Sequence, residues 1–260
     1  MLNSQNGTRF EVSNWKTLQL RVTAFTLPNI QVLSENWWSE TVGQQPEKRV
    51  SQPRAGKVHD EGPLEPGKLS LEIQPARIDW IFGPNEEPDI VANELPNLGP
   101  FPESLSIFQR SMNSWLSSGN VPPLLRLALG CVLHFPVPNR EDGYRLLNSF
   151  LHEVEVDPVR SSDFVFQINK PRESTSGIPG LIVNRLMKWA IATSFVAFLQ
   201  FTPEPLSSQR TTQASFDCRL ELDINNSPEY REPLPNDRLL SLLNEFISLS
   251  TEIGSEGDIP

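Results

Sequence analysis

The sequence has little of what catalysis most often uses. Among its 260 residues are three histidines, two tyrosines and two cysteines. Cys131 and Cys218 stand far apart, each inside an apolar alternation, and neither belongs to a Cys-x-x-Cys pair. A disulfide framework or a zinc finger is thereby excluded, and two buried free thiols of a reducing compartment are expected. Long apolar runs are missing as well. The longest, residues 189–201, is broken by Thr193, Ser194 and Gln200 and falls short of the roughly 20 residues of a membrane span. The first ten residues hold no apolar core of the kind a signal peptide needs. A cytoplasmic, non-membrane protein is the expectation.

Positive charge is also short. Lysine and arginine total 22 against 32 acids, a formal net charge of −10. Such a chain repels a phosphate backbone at long range, so nucleic acid can bind only through a local basic patch. No G-x-G-x-x-G, P-loop, G-x-S-x-G or H-E-x-x-H occurs, which argues against the commonest nucleotide, hydrolase and zinc classes. No cofactor and no metal site are expected.

What is abundant is proline, 24 residues, clustered between regular segments as rigid turns and extended connections. The length suffices for a single domain, 1–260, with a substantial core. No sequence repeat of fixed period is present.

Alternation predicts strands over residues 17–26, 69–74 and 76–82, the last two as a hairpin. A further strand is predicted over 125–135. Its second face is also small or apolar, which suits a central position in a sheet. Residues 163–169 and 214–224 complete the clear strands, the last with strict alternation of Ala214, Phe216, Cys218, Leu220, Leu222 and Ile224. Residues 181–201 fit one very long strand, two strands or a helix.

Apolar stripes predict helices over 103–118, over 140–152 behind an Asn139 N-cap, and over 238–253 with Gly254 as the stop. Residues 44–67, rich in proline, glycine, glutamine and charge, read as a flexible loop, and 255–260 as a frayed tail. The fold class is α+β: a long-stranded, mainly antiparallel curved sheet with about three helices packed on one face.

Candidate functional residues are few. His59 with Asp60 and Glu61 reads as a solvated charged loop, His134 as a hydrogen-bonded sheet histidine, and His152 as a helix-end cap. Glu221 and Asp223 share one strand face, about 7 Å apart. With Asp60 and Glu72 they would make the carboxylate set of a metal-dependent nuclease, the enzymatic alternative. Arg160, Lys170, Arg172, Arg185 and Lys188 form a local basic stretch. With nearby aromatics it supports a second alternative, a nucleic-acid-associated subunit that binds single strands. The same stretch can instead pair with the acidic C-terminal part, which carries four basic and eleven acidic residues from position 203 onward. The adjacent Trp37 and Trp38 precede the expected loop, and an exposed pair there would serve as a partner-binding surface.

The run Arg219-Leu220-Glu221-Leu222-Asp223-Ile224-Asn225, followed by a leucine-rich helix, and the earlier Asn184-Arg185-Leu186 resemble a group of bacterial proteins. That group is sporadically distributed, largely uncharacterised and often encoded near mobile elements. The resemblance covers the C-terminal part and carries no catalytic residue across. It implies an accessory or defence-linked role. The expected architecture also resembles that of SecB-type export chaperones, a likeness of fold alone. The leading expectation is therefore a non-enzymatic protein-interaction module, an accessory or chaperone-like subunit of a bacterial system. Its partner would be another protein, such as a neighbouring gene product, and oligomerisation is compatible with it.

Overall fold

Alternation along the chain converts into a single antiparallel sheet. The computed structural model describes residues 11–27, 36–85, 95–201 and 208–259, with backbone alone for 195–201 and 208–213. Pro28, the expected end of the first strand, lies outside the described residues.

The elements follow in chain order. β1 (Lys16–Thr26) and the short α1 (Trp37–Val42) precede a run of strands: β2 (Lys48–Gln52), β3 (Lys57–Leu64), β4 (Gly67–Gln74) and β5 (Arg77–Gly83). Then come α2 (Phe101–Ser117), β6 (Leu124–Val137) and α3 (Arg140–Phe150). The chain finishes with β7 (Val165–Asn169), β8 (Arg172–Glu173), β9 (Ile182–Phe201), β10 (Ser208–Asn226) and α4 (Leu239–Glu256). The ten strands make one sheet in the order β2-β3-β4-β5-β1-β6-β10-β9-β7, with β8 beside β9. The α+β class and the antiparallel sheet agree with the sequence reading.

The topology is a repeat that the sequence does not display. A strand, a helix, three strands and a helix occur twice, as β1-α1-β3-β4-β5-α2 and as β6-α3-β7-β9-β10-α4. The halves meet at the antiparallel β1–β6 pair, and each runs outward in matching order, β1-β5-β4-β3 and β6-β10-β9-β7. β2 and β8 are additions to this plan.

The two sheet faces differ sharply. On the packed face Leu20, Val22, Trp80, Leu129, Leu220 and Trp189 are all buried. Helices α2, α3 and α4 lie there against β1, β6, β9 and β10. Burial of large side chains like these, at ~1.5–3 kcal/mol each, is what holds such a face shut. Trp15 ties the layers together. Its Nε1 donates to Gly254 O of α4 at 2.8 Å, and its ring meets Phe150 and Trp189 with centroids 5.6 and 5.9 Å away.

Three expectations need correction. The flexible loop expected over 44–67 is largely β2 and β3. Its polar composition misled because the two central inward positions of β3 are Asp60 and Gly62, and the apolar Val58 and Leu64 on either side of them are only partly buried. Asp60 is buried and held by Arg49, and Gly62 leaves space for the Trp38 ring, whose Cζ2 lies 3.0 Å from where a Cβ would stand.

Trp37 and Trp38 are not an exposed pair. Both are in α1, at 2% and 0% exposure. Trp38 stacks on Trp80 and Trp37 meets Trp115 edge-on, so a helix turn directs both rings inward where an extended segment could not.

The expected frayed tail is docked. Gly254 lies inside α4, and Gly257, at φ +86°, ends it. Asp258 and Ile259 are buried. Asp258 N–H donates to Phe150 O at 3.0 Å, and its carboxylate accepts from His152 N–H at 2.7 Å.

Candidate docking face and the β9–β10 ribbon

The face opposite the helices is half-exposed where β1, β6, β10 and β9 lie side by side, and is closed around the buried Thr23–Asp79 and His134–Asp217 pairs. Side chains alternating with the core positions reach it: Gln19 and Arg21 from β1, Val132 from β6, Lys188 from β9, Glu221 and Asp223 from β10. A groove of about 360 Å³ runs across these strands to Gln167 of β7. Gly130 makes its floor. A Cβ there would already touch Arg21 Nε at 3.6 Å, so the missing side chain lets the guanidinium lie across β6.

Charge on this face is organised in pairs. Lys188 Nζ and Arg219 Nε both approach the Glu221 carboxylate, at 3.4 and 2.9 Å. Asn225 Nδ2 donates to Asp223 at 2.8 Å, and Arg126 and Asn184 both donate to Asn225 Oδ1, at 3.0 and 3.1 Å. Arg77 binds Asp79, which also accepts from Thr23 at 2.6 Å. Arg21, among the described residues, forms no ion pair. A network of this kind fixes side chains across neighbouring strands and presents mixed donors and acceptors rather than one sign of charge.

The residues proposed for nuclease chemistry do not converge. Glu72 lies on β4 and Glu221 on β10, four strand positions apart, or about 19 Å at ordinary strand spacing. Asp60 faces the other side of the sheet and is neutralised by Arg49. Glu72 stands 3.7 Å from His59, which also faces Glu61 at 3.5 Å. Among the described residues, no three His, Cys, Asp or Glu side chains gather where a metal could sit.

The basic stretch is likewise divided. Lys188 is on the open face. Arg185 is buried on the packed face, its Nε donating to Lys170 O at 2.7 Å. Burial, with Arg172 nearby, pulls the Arg185 guanidinium below its ordinary value, and Glu252 opposes that. Arg172 pairs with Glu245 at 3.7 Å, and Lys170 pairs with Glu153 and donates to Asp258 O. Arg160 is exposed, beside Asp157. These cations serve largely the acidic C-terminal part of the same chain, and no single patch for a phosphate backbone results.

The other candidates are structural. His134 is buried, with Nδ1 3.0 Å from Asp217 Oδ1. His152 donates through Nε2 to Glu256 O at 3.0 Å, capping the end of α4 rather than of α3. Burial pushes the Cys131 thiol up to about 12 and raises Cys218 as well, so neither is poised as a nucleophile.

The feature that sequence reasoning left open is the extent of β9. It is one strand from Ile182 to Phe201, and β10, from Ser208 to Asn226, pairs with it from Phe201 back to Val183. The flanking strands stop early: β7 reaches only Ala190, and β6 only Phe216. Residues 194–201 and 208–215 are therefore paired with each other alone among the described strands, as a two-stranded ribbon about 26 Å long. In sequence the outgoing strand reads Phe195-Val196-Ala197-Phe198-Leu199-Gln200-Phe201.

No helix among the described residues is long and apolar enough to cross a membrane. No family model, no curated protein and no solved structure matches the chain.

Proposed function

We propose that this chain is a non-enzymatic protein-interaction module, an accessory or chaperone-like subunit that holds a partner protein. The β9–β10 ribbon carries the reading. An isolated two-stranded hairpin is marginal in water, and this one continues past every neighbouring strand among the described residues, with an outgoing sequence rich in phenylalanine. A segment of that composition gains most when a partner covers it. The open sheet face beside it adds paired charges and amides, which suit a polypeptide better than a phosphate backbone. The resemblance to a bacterial group encoded near mobile elements makes a product of the same gene neighbourhood, including a defence system, the first partner to test.

The deciding experiment excises the ribbon. A variant in which residues 194–215 are replaced by a short Asn-Gly turn retains the sheet pairs that hold β6, β7, β9 and β10 together. Candidate neighbouring gene products are co-expressed with wild type and with the excised variant. Capture by wild type and loss on excision, with an unchanged far-ultraviolet spectrum, is the expected result. Equal capture by both would remove the ribbon from the account.

A further inference from the structure

The two edges of the sheet are guarded differently, and the difference points to a second copy of this chain. In the first half of the topological repeat, the outer strand β3 is covered by β2. β2 then forms the edge and carries Lys48 and Arg49, charges of the kind that keep an edge from pairing further. In the second half the corresponding strand, β7, has no such cover among the described residues. Beyond it the order ends, and β8 lies in line with it along β9. β7 reads Val165-Phe166-Gln167-Ile168-Asn169, with no charge and no proline. Val165 is 57% exposed.

The direction of the free main-chain groups follows from the register. Lys170 N–H donates to Arg185 O, and β7 pairs with β9 in the same register, Ile168 opposite Met187 and Phe166 opposite Trp189. The even-numbered residues are thus the hydrogen-bonded partners of β9. The N–H and C=O groups of Val165, Gln167 and Asn169 point outward.

We infer that β7 pairs antiparallel with β7 of a second copy, about a two-fold axis at Gln167. That register sets Gln167 against Gln167 and Val165 against Asn169, so the outward groups of both strands satisfy one another. It also sets Phe166 beside Ile168 of the other copy, twice, on the packed side, where both are already half-buried against the core. The strand is complementary to itself in hydrogen bonding and in apolar pattern. It is also uncharged, so two chains of net charge −10 meet where repulsion is least. Gln167 lines the groove on the open face, so Gln167 of the second copy extends that groove across the axis. A five-residue edge is a small interface, and a dimer with a micromolar dissociation constant is expected. The inference is independent of the ribbon, which lies beyond the end of β7.

Sedimentation equilibrium of the full chain at tens of micromolar tests it. Wild type is expected at twice its 29.3 kDa chain mass. Gln167→Pro removes an outward N–H and leaves the bonds to β9 intact. It is expected to halve the mass with the urea midpoint nearly unchanged. Gln167→Lys alone and Gln167→Glu alone place like charges across the axis and should each be monomeric, whereas an equimolar mixture of the two should return to dimer. A monomeric wild type at that concentration overturns the inference. So does a dimer that survives Gln167→Lys, or a charge-swapped mixture that stays monomeric while both proteins remain folded.

Discussion

Arg49 and Asp60 face each other across the β2–β3 pair, and the guanidinium binds both carboxylate oxygens at 2.7 Å. Asp60 is fully buried while Arg49 remains 38% exposed, so the arginine reaches in from the edge to neutralise a charge on the packed face. Removing one partner of such a pair strands the other in the interior. Arg49→Ala is expected to destabilise the protein by about 3 kcal/mol, read as a lower urea midpoint. Arg49→Lys, which keeps the charge but not the two-point geometry, should fall in between.

Trp38 is completely buried, against Trp80 and close above Gly62. Trp38→Ala should cost about 3–5 kcal/mol of stability. At a temperature where the variant is still folded, it should leave partner capture unchanged. Loss of capture without loss of stability would restore Trp37 and Trp38 as a binding surface.

These two cases show why the sequence was legible where it was. Strands whose inward positions are apolar without exception, such as β10 from Phe216 to Ile224, announce themselves by period. β3 does not, because a buried aspartate and a glycine interrupt its inward face between Val58 and Leu64, and the reason for each lies elsewhere in the chain, in Arg49 and Trp38. The four carboxylates singled out for metal chemistry were readable as residues but not as neighbours. Strand order, which separates Glu72 from Glu221, and pairing register, which turns Asp60 to the other face, are long-range properties. The twofold plan of the fold was invisible for the same reason, since topology repeats here without a repeated residue pattern.

At the chain end, Gly257 is held at φ +86°, and a Cβ there would meet the Phe150 carbonyl. Gly257→Ala should therefore destabilise by more than about 2 kcal/mol, combining backbone strain and collision. It should also release the Asp258 contacts, so that the tail becomes a site of rapid proteolysis. Gly180, also at positive φ but with open space around it, should tolerate the same change at about 1 kcal/mol.

Both thiols are raised by burial, Cys131 to about 12. Native protein at pH 8 should react with iodoacetamide far more slowly than unfolded protein, at both positions. Fast labelling of either cysteine in the folded state, followed by mass spectrometry, would contradict their packing.

Glu61 offers a pH test. Partial burial raises its carboxyl, but the Lys68 hydrogen bond and charge outweigh this, and the net shift is downward. A folded value below the unfolded one contributes stability that is present above the ordinary glutamate range and is lost as pH falls through the lowered value. The pair is partly exposed, so the amount is less than about 1 kcal/mol. Glu61→Gln should be slightly less stable than wild type at pH 7, and the two should converge as pH falls below the lowered value.

The proposed role requires the ribbon to be a contact surface for another protein. Photo-crosslinking in the native host measures this directly, with a benzophenone amino acid placed singly at Val196, at Phe198 and, as a control on the helical side, at Gln109 of α2. Adducts to one and the same partner protein from Val196 and Phe198, and none from Gln109, are predicted. Ribbon positions that yield no adduct while the protein is folded and expressed at its natural level would contradict it.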